Sequence, residues 1–455
     1  MDTARLKRFA QYARRALLDQ VAAKLTVVLA EDSSARRESP EAVQALEKAL
    51  VPQHKQTPAE AKAQLIDRVA YTWFNRFCAL RFMDVNRYTR VGVVSPADGQ
   101  FQPEILADAK MGHVDEEISE VTRQKVFALL NGTAPSPDPQ GEAYRLLVVA
   151  ACNAWHKAMP FLFESIKDYT ELLMPDDLLS GTSILAYTRE AMTPDACENV
   201  EVIGWLYQFY ISEKKDEVFN GLKKNQKITP ENIPAATQLF TPHWIVRYLV
   251  ENSLGRLWML NRPQSRLVER MDYYIKPQTG ADQAETDFLR IASPEDIKIC
   301  DPACGSGHML TYAFDLLYAI YEEEGADPTT IAGKILTHNL YGVEIDERAG
   351  DLAALALVMK ARAKNRRFLS KEIKPNICVL ENVTFAEGEL QRYAEAMGRE
   401  LFTPSVLTTL YQFEEADNFG SLIRPVEADV SPLLQTLHVK GAPRDMQLHI
   451  AHEKV

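Results

Sequence analysis

Six cysteines are spread over 455 residues, and no two of them form a Cys-x-x-Cys pair. The closest two, Cys300 and Cys304, have three residues between them. Zinc-type spacing and a disulfide framework are both excluded, so no metal site is expected. Long apolar runs are missing too, since no stretch reaches the ~18 residues that a membrane-spanning helix requires. The amino terminus, Met1-Asp-Thr-Ala-Arg-Leu-Lys-Arg8, lacks the apolar core of a secretory signal. No membrane role is expected, and the cytoplasm is the expected location. Positive charge is in deficit, with 51 Lys and Arg against 63 Asp and Glu and a formal net charge of -12. A chain this acidic is not expected to carry the main phosphate-binding surface for a nucleic acid. Internal repeats and long low-complexity tracts are absent. The length leaves room for two or three cores.

What is present centres on Lys298-Ile-Cys-Asp-Pro-Ala-Cys-Gly-Ser-Gly-His-Met-Leu310. Ile297 to Cys300 read as a short buried strand ending at Asp301. Gly305 and Gly307 then permit a tight turn and a close ligand approach that a Cβ would obstruct. Leu310, Phe314, Leu317 and Ile320 follow at helical spacing, and Gly325 with Pro328 marks that helix's end. No Gly-Lys-Ser/Thr follows the glycines, which excludes a P-loop, and Leu310 stands where the dinucleotide fingerprint has its third glycine. An acid beside the loop disfavours a diphosphate and suits a ligand with an amino group and hydroxyls. Leu340-Tyr-Gly-Val-Glu-Ile-Asp346 reads as a second strand ending in acids, with Glu344 the candidate for ribose hydroxyls.

These segments resemble a known family. Asp301-Pro-Ala-Cys-Gly-Ser-Gly307 is similar to motif I of adenine-specific DNA methyltransferases, and Gly342-Val-Glu-Ile-Asp346 to their motif II. Gln238-Leu-Phe-Thr-Pro-His-Trp-Ile-Val-Arg-Tyr-Leu249 resembles their motif X, which precedes motif I. Two further runs, Glu201 to Lys215 and Tyr71-Thr-Trp-Phe-Asn-Arg76, narrow the resemblance to the methyltransferases of BREX phage-defence systems, along essentially the whole chain. The resemblance implies S-adenosylmethionine as cofactor. Asp301, Ala303, Gly305 and Gly307 would form the loop at its methionine part, Glu344 would hold the ribose hydroxyls, and Ile345 would pack on the adenine ring. Thr241 and Pro242 would approach the methionine carboxylate. Asn382, after a third strand Ile377-Cys-Val-Leu-Glu381, stands where the family often has an acid contacting the adenine amine. The substrate implied is double-stranded DNA, and other BREX subunits are the implied partners.

Plainer readings stand beside these. Thr241-Pro242 also has the form of an N-cap followed by proline at the first helical position. His308 reads as a half-buried packing residue, Cys300 and Cys304 as small buried residues. Trp205, Leu206, Phe209 and Tyr210 read as helical core. Lys360 to Arg367 closes a helix, where cations favour the dipole, and that reading is preferred there to DNA contact. Lys223 to Lys227 reads as a solvated linker in preference to a DNA contact.

One absence bears on catalysis. The family methylates the adenine amine with an Asn/Asp-Pro-Pro-aromatic motif after the fourth strand, and no such tetrapeptide occurs in these 455 residues. No catalytic residue is therefore assigned. In a doubly wound sheet ordered 3-2-1-4 the first strand pairs with the fourth. One edge of the first strand is then expected to lack a partner in these residues, so that either a carboxyl-terminal half beyond Val455 or a partner chain covers it, with specific DNA recognition expected beyond Val455.

Ahead of the cofactor motifs the chain reads as helical. Thr57-Pro-Ala-Glu60 has the form of a capping box, with Ile66, Val69, Trp73, Phe77 and Leu80 on one face. Residues 131–142 read as a loop or hinge, and Tyr144 to Glu164 and Glu201 to Glu217 as helices. The expected fold is an incomplete α/β Rossmann-like methyltransferase core preceded by a mainly α-helical domain. Its expected boundaries are 1–225 for the helical domain, 226–385 for the cofactor domain, and 386–455 for a helix-rich polar extension. Two functions remain open: the cofactor-binding portion of a methyltransferase, or a non-catalytic cofactor- and partner-binding module.

Overall fold

The computed structural model describes residues 3–52, 57–163, 169–229, 232–239, 241–276, 287–382, 385, 388–397 and 402–426. The chain divides into two compact units, one of residues 1–214 with 361–374, the other of residues 215–360 with 375–455.

The first unit is built of helices, chief among them α1 (Thr3–Val28), α2 (Pro58–Val85), α3 (Pro139–Trp155) and most of α4 (Glu201–Leu222). The start of α2 is set by the capping box: the Thr57 hydroxyl accepts from the Glu60 amide at 3.3 Å, and the Thr57 amide donates to Glu60 Oε2 at 2.8 Å. Val69, Trp73, Phe77 and Leu80 are buried as their spacing requires, but Ile66 is half-exposed and Leu65 takes its inward place. At 3.6 residues per turn Ile66 lies nearer the centre of that stripe than Leu65, so the period alone does not account for the exchange. The helix predicted over Tyr144 to Glu164 ends at Trp155, and Glu164 lies outside the described residues. In α4 Leu206 and Tyr210 are core, whereas Trp205 and Phe209 stack on each other at 5.6 Å and are only half-buried. Lys223 to Lys227 follow as an exposed turn.

The second unit holds a three-stranded parallel sheet in the order β1-β2-β3, with β1 Ile299–Asp301, β2 Leu340–Glu344 and β3 Asn376–Val379. Ahead of it stands α5 (His243–Val250). Two long helices make the crossovers, α6 (His308–Glu323) between β1 and β2, and α7 (Glu347–Lys364) between β2 and β3. The sheet is parallel because β1 and β2 are each followed by a helix long enough to return the chain to the end at which the strand began. Leu310, Phe314, Leu317 and Ile320 of α6 are all buried, and Gly325 at φ +76° ends the turn after it. The buried Asn339 side chain donates to Pro294 and Ile297 carbonyls at 2.8 Å each, fixing the start of β1 to the end of the first crossover.

Two departures from the sequence reading concern β1. It begins at Ile299, because Ile297 is taken up by the exit of a single 3-10 turn. Cys300, expected to be buried, is exposed. Among the described residues β1 has a strand on one side only, so side chains there meet less cover than on a central strand. The extension from residue 386, read as polar, has a small apolar core among its described residues, formed by Leu390, Tyr393, Phe402, Val406 and Leu410 on α8 (Glu389–Met397) and α9 (Pro404–Gln412) and the link between them. Residues 427–455 of that extension lie outside the described residues.

Glycine at position 350 lets α7 approach the sheet, since a Cβ there would stand 2.5 Å from Val379 Cγ2 on β3. Alanine would gain about 1 kcal/mol of helix propensity against that clash, so valine is the cleaner probe. Gly350→Val is expected to destabilise the chain by about 1–3 kcal/mol through overpacking, read as a lower urea midpoint; an unchanged midpoint would contradict this packing.

Candidate cofactor site

The site is built where β1 and β2 end. After Asp301 the chain turns through exposed Pro302 and Ala303, and its backbone is then pinned to the neighbouring strand, with the Cys304 amide donating to the Val343 carbonyl at 3.0 Å. Gly305 and Gly307 both sit at positive φ, +53° and +83°, the left-handed region that costs residues with a Cβ roughly 1–2 kcal/mol. Their requirements differ. A Cβ on Gly305 would meet nothing nearer than Gln238 Nε2 at 3.7 Å, leaving open space above the loop. One on Gly307 would lie 3.0 Å from Ala353 Cβ and 3.1 Å from its Cα, so that glycine lets α7 close against the loop.

Glu344 ties the two strand ends together. Its carboxylate is buried, and Oε2 accepts from the Gly305 amide at 2.6 Å while Oε1 accepts from the amides of Ile345 at 2.9 Å and Asp346 at 3.1 Å. Hydrogen bonds to an ionised acceptor are short and strong, and here they fix the carboxylate's orientation. Asp301 faces the loop from the other side, its Oδ1 accepting from the Ala303 amide at 3.2 Å. Burial raises Asp301 above the ordinary carboxylate value, and the Ala303 amide pulls the other way. Cys304 is buried, and burial beside Glu344 and Asp301 pushes its thiol up, which leaves it an inert packing group. His308, half-buried as its position suggested, is brought down to about 3 by burial and by His243, so it is neutral at pH 7.

The Thr-Pro segment comes to the same end of the sheet. Gln238 borders Gly305, and α5 packs along α6 with the His243 and Tyr312 rings 6.3 Å apart. A buried anchor holds this arrangement: Glu251, fully enclosed on a π-helical turn, accepts from Tyr312 Oη at 2.6 Å and from the Tyr273 amide at 2.5 Å, with Arg247 at 3.3 Å. The N-cap reading of Thr241 is corrected here. Pro242 itself is the N-cap, extended at φ -53° and ψ 139°, its carbonyl accepting from Ile245 and Val246, and no side chain caps the helix. Thr241 therefore stands one residue outside and is half-buried, while Pro242 is exposed.

Asp301, Ala303, Gly305, Gly307, Glu344 and Ile345 thus meet around one loop. Asn382 lies exposed, two residues past Leu380, whose amide donates to the Glu344 carbonyl at 2.8 Å. Three contributors escaped the sequence reading. Asp346 is buried and accepts from the Arg348 amide at 3.2 Å, so it opens α7 as its Asp-Glu-Arg context could have signalled. Gln238 was quoted in the motif without a role. Gly420, at φ +53°, lies so close to Ile345 that a Cβ would stand 2.8 Å from Ile345 Cγ2; nothing local in the sequence marks it. A separate cleft of about 610 Å³ among Tyr411, Phe419 and Leu422 contains none of the candidate residues.

A parallel sheet with a glycine turn after its first strand and an acid ending its second defines a class, and the comparisons name it. Residues 285–387 match the family described as MmeI, DNA-methyltransferase domain. The chain is also 37% identical over 491 residues to the adenine-specific methyltransferase BrxX of Escherichia coli O9:H4 (strain HS), covering 98% of this chain and 40% of that protein. With the adenine-specific methyltransferase PglX of Lacticaseibacillus casei (strain Zhang) it shares 35% identity over 382 residues, 80% of this chain and 31% of the relative. The resemblance drawn from the motifs is thereby borne out. The chain spans well under half the length of either relative.

The two loop glycines differ in a way that can be measured. Gly305→Ala adds only backbone strain, about 1 kcal/mol. Gly307→Ala adds that strain and a clash with α7, so its melting temperature is expected to fall further; the reverse order would contradict the loop geometry.

Proposed function

We propose that this chain is the S-adenosylmethionine-binding portion of an adenine-specific DNA methyltransferase of a BREX phage-defence system, acting in the cytoplasm on double-stranded DNA. Its second unit is the first half of a Rossmann-like methyltransferase core. The observation that carries this reading is the Glu344 carboxylate, buried and fixed by three amides of which one belongs to the glycine loop.

The residues fit the cofactor chemically. A carboxylate has about four acceptor sites, so Glu344 keeps capacity for a ribose hydroxyl while the loop stays in place. Asp301 offers a carboxylate to the methionine ammonium, and the open space above Gly305 leaves the backbone approachable. Ile345 supplies an apolar surface for the adenine ring. Thr241 and Pro242 approach the methionine carboxylate, and Asn382 the adenine amine. When bound, S-adenosylmethionine supplies a methyl group on a sulfonium, reactive without a histidine base, in keeping with the neutral His308. The chain's contribution is to hold that donor in one orientation, and positioning of this kind can supply much of a rate enhancement. In the complete enzyme the acceptor is the exocyclic amine of an adenine flipped from the duplex.

A second reading is favoured by one observation: the Asn/Asp-Pro-Pro-aromatic tetrapeptide does not occur in the sequence. On that reading the chain is a non-catalytic module that binds the cofactor and other BREX subunits. Calorimetric titration with S-adenosylmethionine beside transfer of labelled methyl groups to DNA tests the cofactor site that both readings share, and whether these residues suffice for transfer. Binding without transfer by these 455 residues is expected, lost in Glu344→Ala and Gly305→Val. Binding that survives both substitutions would refute the site.

Asp301 gives a pH-linked expectation. A carboxyl whose folded pKa is raised contributes stability that is present below its unfolded pKa and lost as pH rises through the folded one. At neutral pH the ionised Asp301 therefore destabilises the ligand-free chain. Asp301→Asn is expected to raise the melting temperature at pH 7 and to weaken S-adenosylmethionine binding. Wild-type affinity should be level above the raised pKa and fall as pH drops through it; flat affinity into the acid range would exclude Asp301 as the ammonium partner.

A further inference from the structure

The net charge of -12 hides a local excess of the opposite sign. Residues 361–374 carry Arg362, Lys364, Arg366, Arg367, Lys371 and Lys374 against the single acid Glu372. They group with the first unit, where Phe368 is buried as the anchor and the Arg362 guanidinium lies 4.7 Å from the centre of the Tyr88 ring. That ring is flanked in sequence by Arg87 and close to Arg90, both exposed. Two basic segments some 270 residues apart in sequence thus meet through one cation-π contact.

Helix-dipole chemistry does not account for this cluster. The dipole acts within the last turn, and α7 ends at Lys364, so Arg366 and Arg367 lie past it and are exposed. Burial lowers Arg362, and its proximity to Arg366 adds to that effect; like charges held together are unfavourable unless an anion joins them. Arg90 lies 3.8 Å from Asp115, an exposed pair of the kind worth little.

Arg87 is the second, independent sign. It follows the end of α2 at φ +56°, with the Tyr88 amide donating back to the Met83 carbonyl at 2.8 Å. That is the left-handed C-terminal position that glycine ordinarily fills, and a side chain there is held at a conformational penalty. The loop after it is fixed, because the Asp84 carboxylate accepts from the amides of Val93 at 3.1 Å and of Val94 and Ser95 at 2.8 Å each. Strain retained at a rigid, exposed arginine points to a role outside the fold.

We propose that Arg87, Arg90, Arg362, Arg366 and Arg367 form a sequence-independent contact surface for the phosphodiester backbone of duplex DNA. Guanidinium groups suit phosphate oxygens by bidentate donation, and the Tyr88 ring orients one of them. This rests on DNA being the substrate, but it assigns backbone affinity to the helical unit, not to the cofactor unit.

The test is anisotropy of a fluorescent mixed-sequence duplex titrated with the whole chain across a salt series, with S-adenosylmethionine calorimetry alongside. Each phosphate contact contributes about 0.9 to the slope of log affinity against log salt. The Arg366→Gln/Arg367→Gln double variant is expected to flatten that slope by about 1.8 and to bind S-adenosylmethionine as the wild type does. Arg87→Gly should weaken duplex binding while its melting temperature holds or rises, a split that a merely structural arginine would not produce. Wild-type slope and affinity in both variants, or no duplex binding by the wild type, would overturn the proposal. Absence of cofactor binding by the wild type, with duplex binding intact, would instead count against the cofactor site.

Discussion

Everything around the candidate site depends on one buried carboxylate. Glu344 ends β2, and through the Gly305, Ile345 and Asp346 amides it holds the glycine loop, the exit from the strand and the entry to α7 in one arrangement. Ionised acceptors buried with good geometry are strongly stabilised by such donors, and removing the acceptor would leave three amides unsatisfied at about 1–3 kcal/mol each. In the proposed function the same group that organises the loop also offers its remaining lone pairs to the ligand. On that proposal fold and recognition are not separable at this residue.

Around it, close approach is bought with glycine. Gly307 lets α7 reach the loop, Gly350 lets the same helix lie on β3, and Gly420 lets the carboxyl-terminal segment rest on Ile345. Helix α5 is held to α6 by the enclosed Glu251, whose partners Tyr312, Tyr273 and Arg247 satisfy a charge that would otherwise be costly to bury. That anchor keeps the Thr241 segment at the same end of the sheet as the loop. The result is a candidate site assembled from three stretches of chain.

Local chemistry was legible in the sequence, and long-range contact was not. The capping box at Thr57, the stripe of α6 and the tight turn through Gly305 and Gly307 rest on neighbours a few residues away, and each took the form expected, whereas the contact of Gly307 with Ala353 does not rest on such neighbours. The Thr241 N-cap did not, because proline at the start of α5 stays extended and becomes the cap itself. Cys300 was misjudged since burial on a strand depends on what lies beside and above it, which composition does not state. Trp205 and Phe209 look like core by type, yet they stack half-exposed. Gly420 on Ile345 and Arg362 on Tyr88 join segments far apart in sequence, and no spacing rule could have paired them. The -12 net charge was a sound guide to the average and a poor one to the surface at residues 361–374.

The most direct test of the account is hydrogen–deuterium exchange of the intact chain with and without S-adenosylhomocysteine, the methyl-free form of the proposed cofactor. If Glu344 and the glycine loop form the site, protection will rise in peptides covering residues 301–308 and 341–347 and will leave α2 and α3 unchanged. Protection that appears elsewhere, with both of those peptides unaffected at saturating ligand, would contradict the central claim.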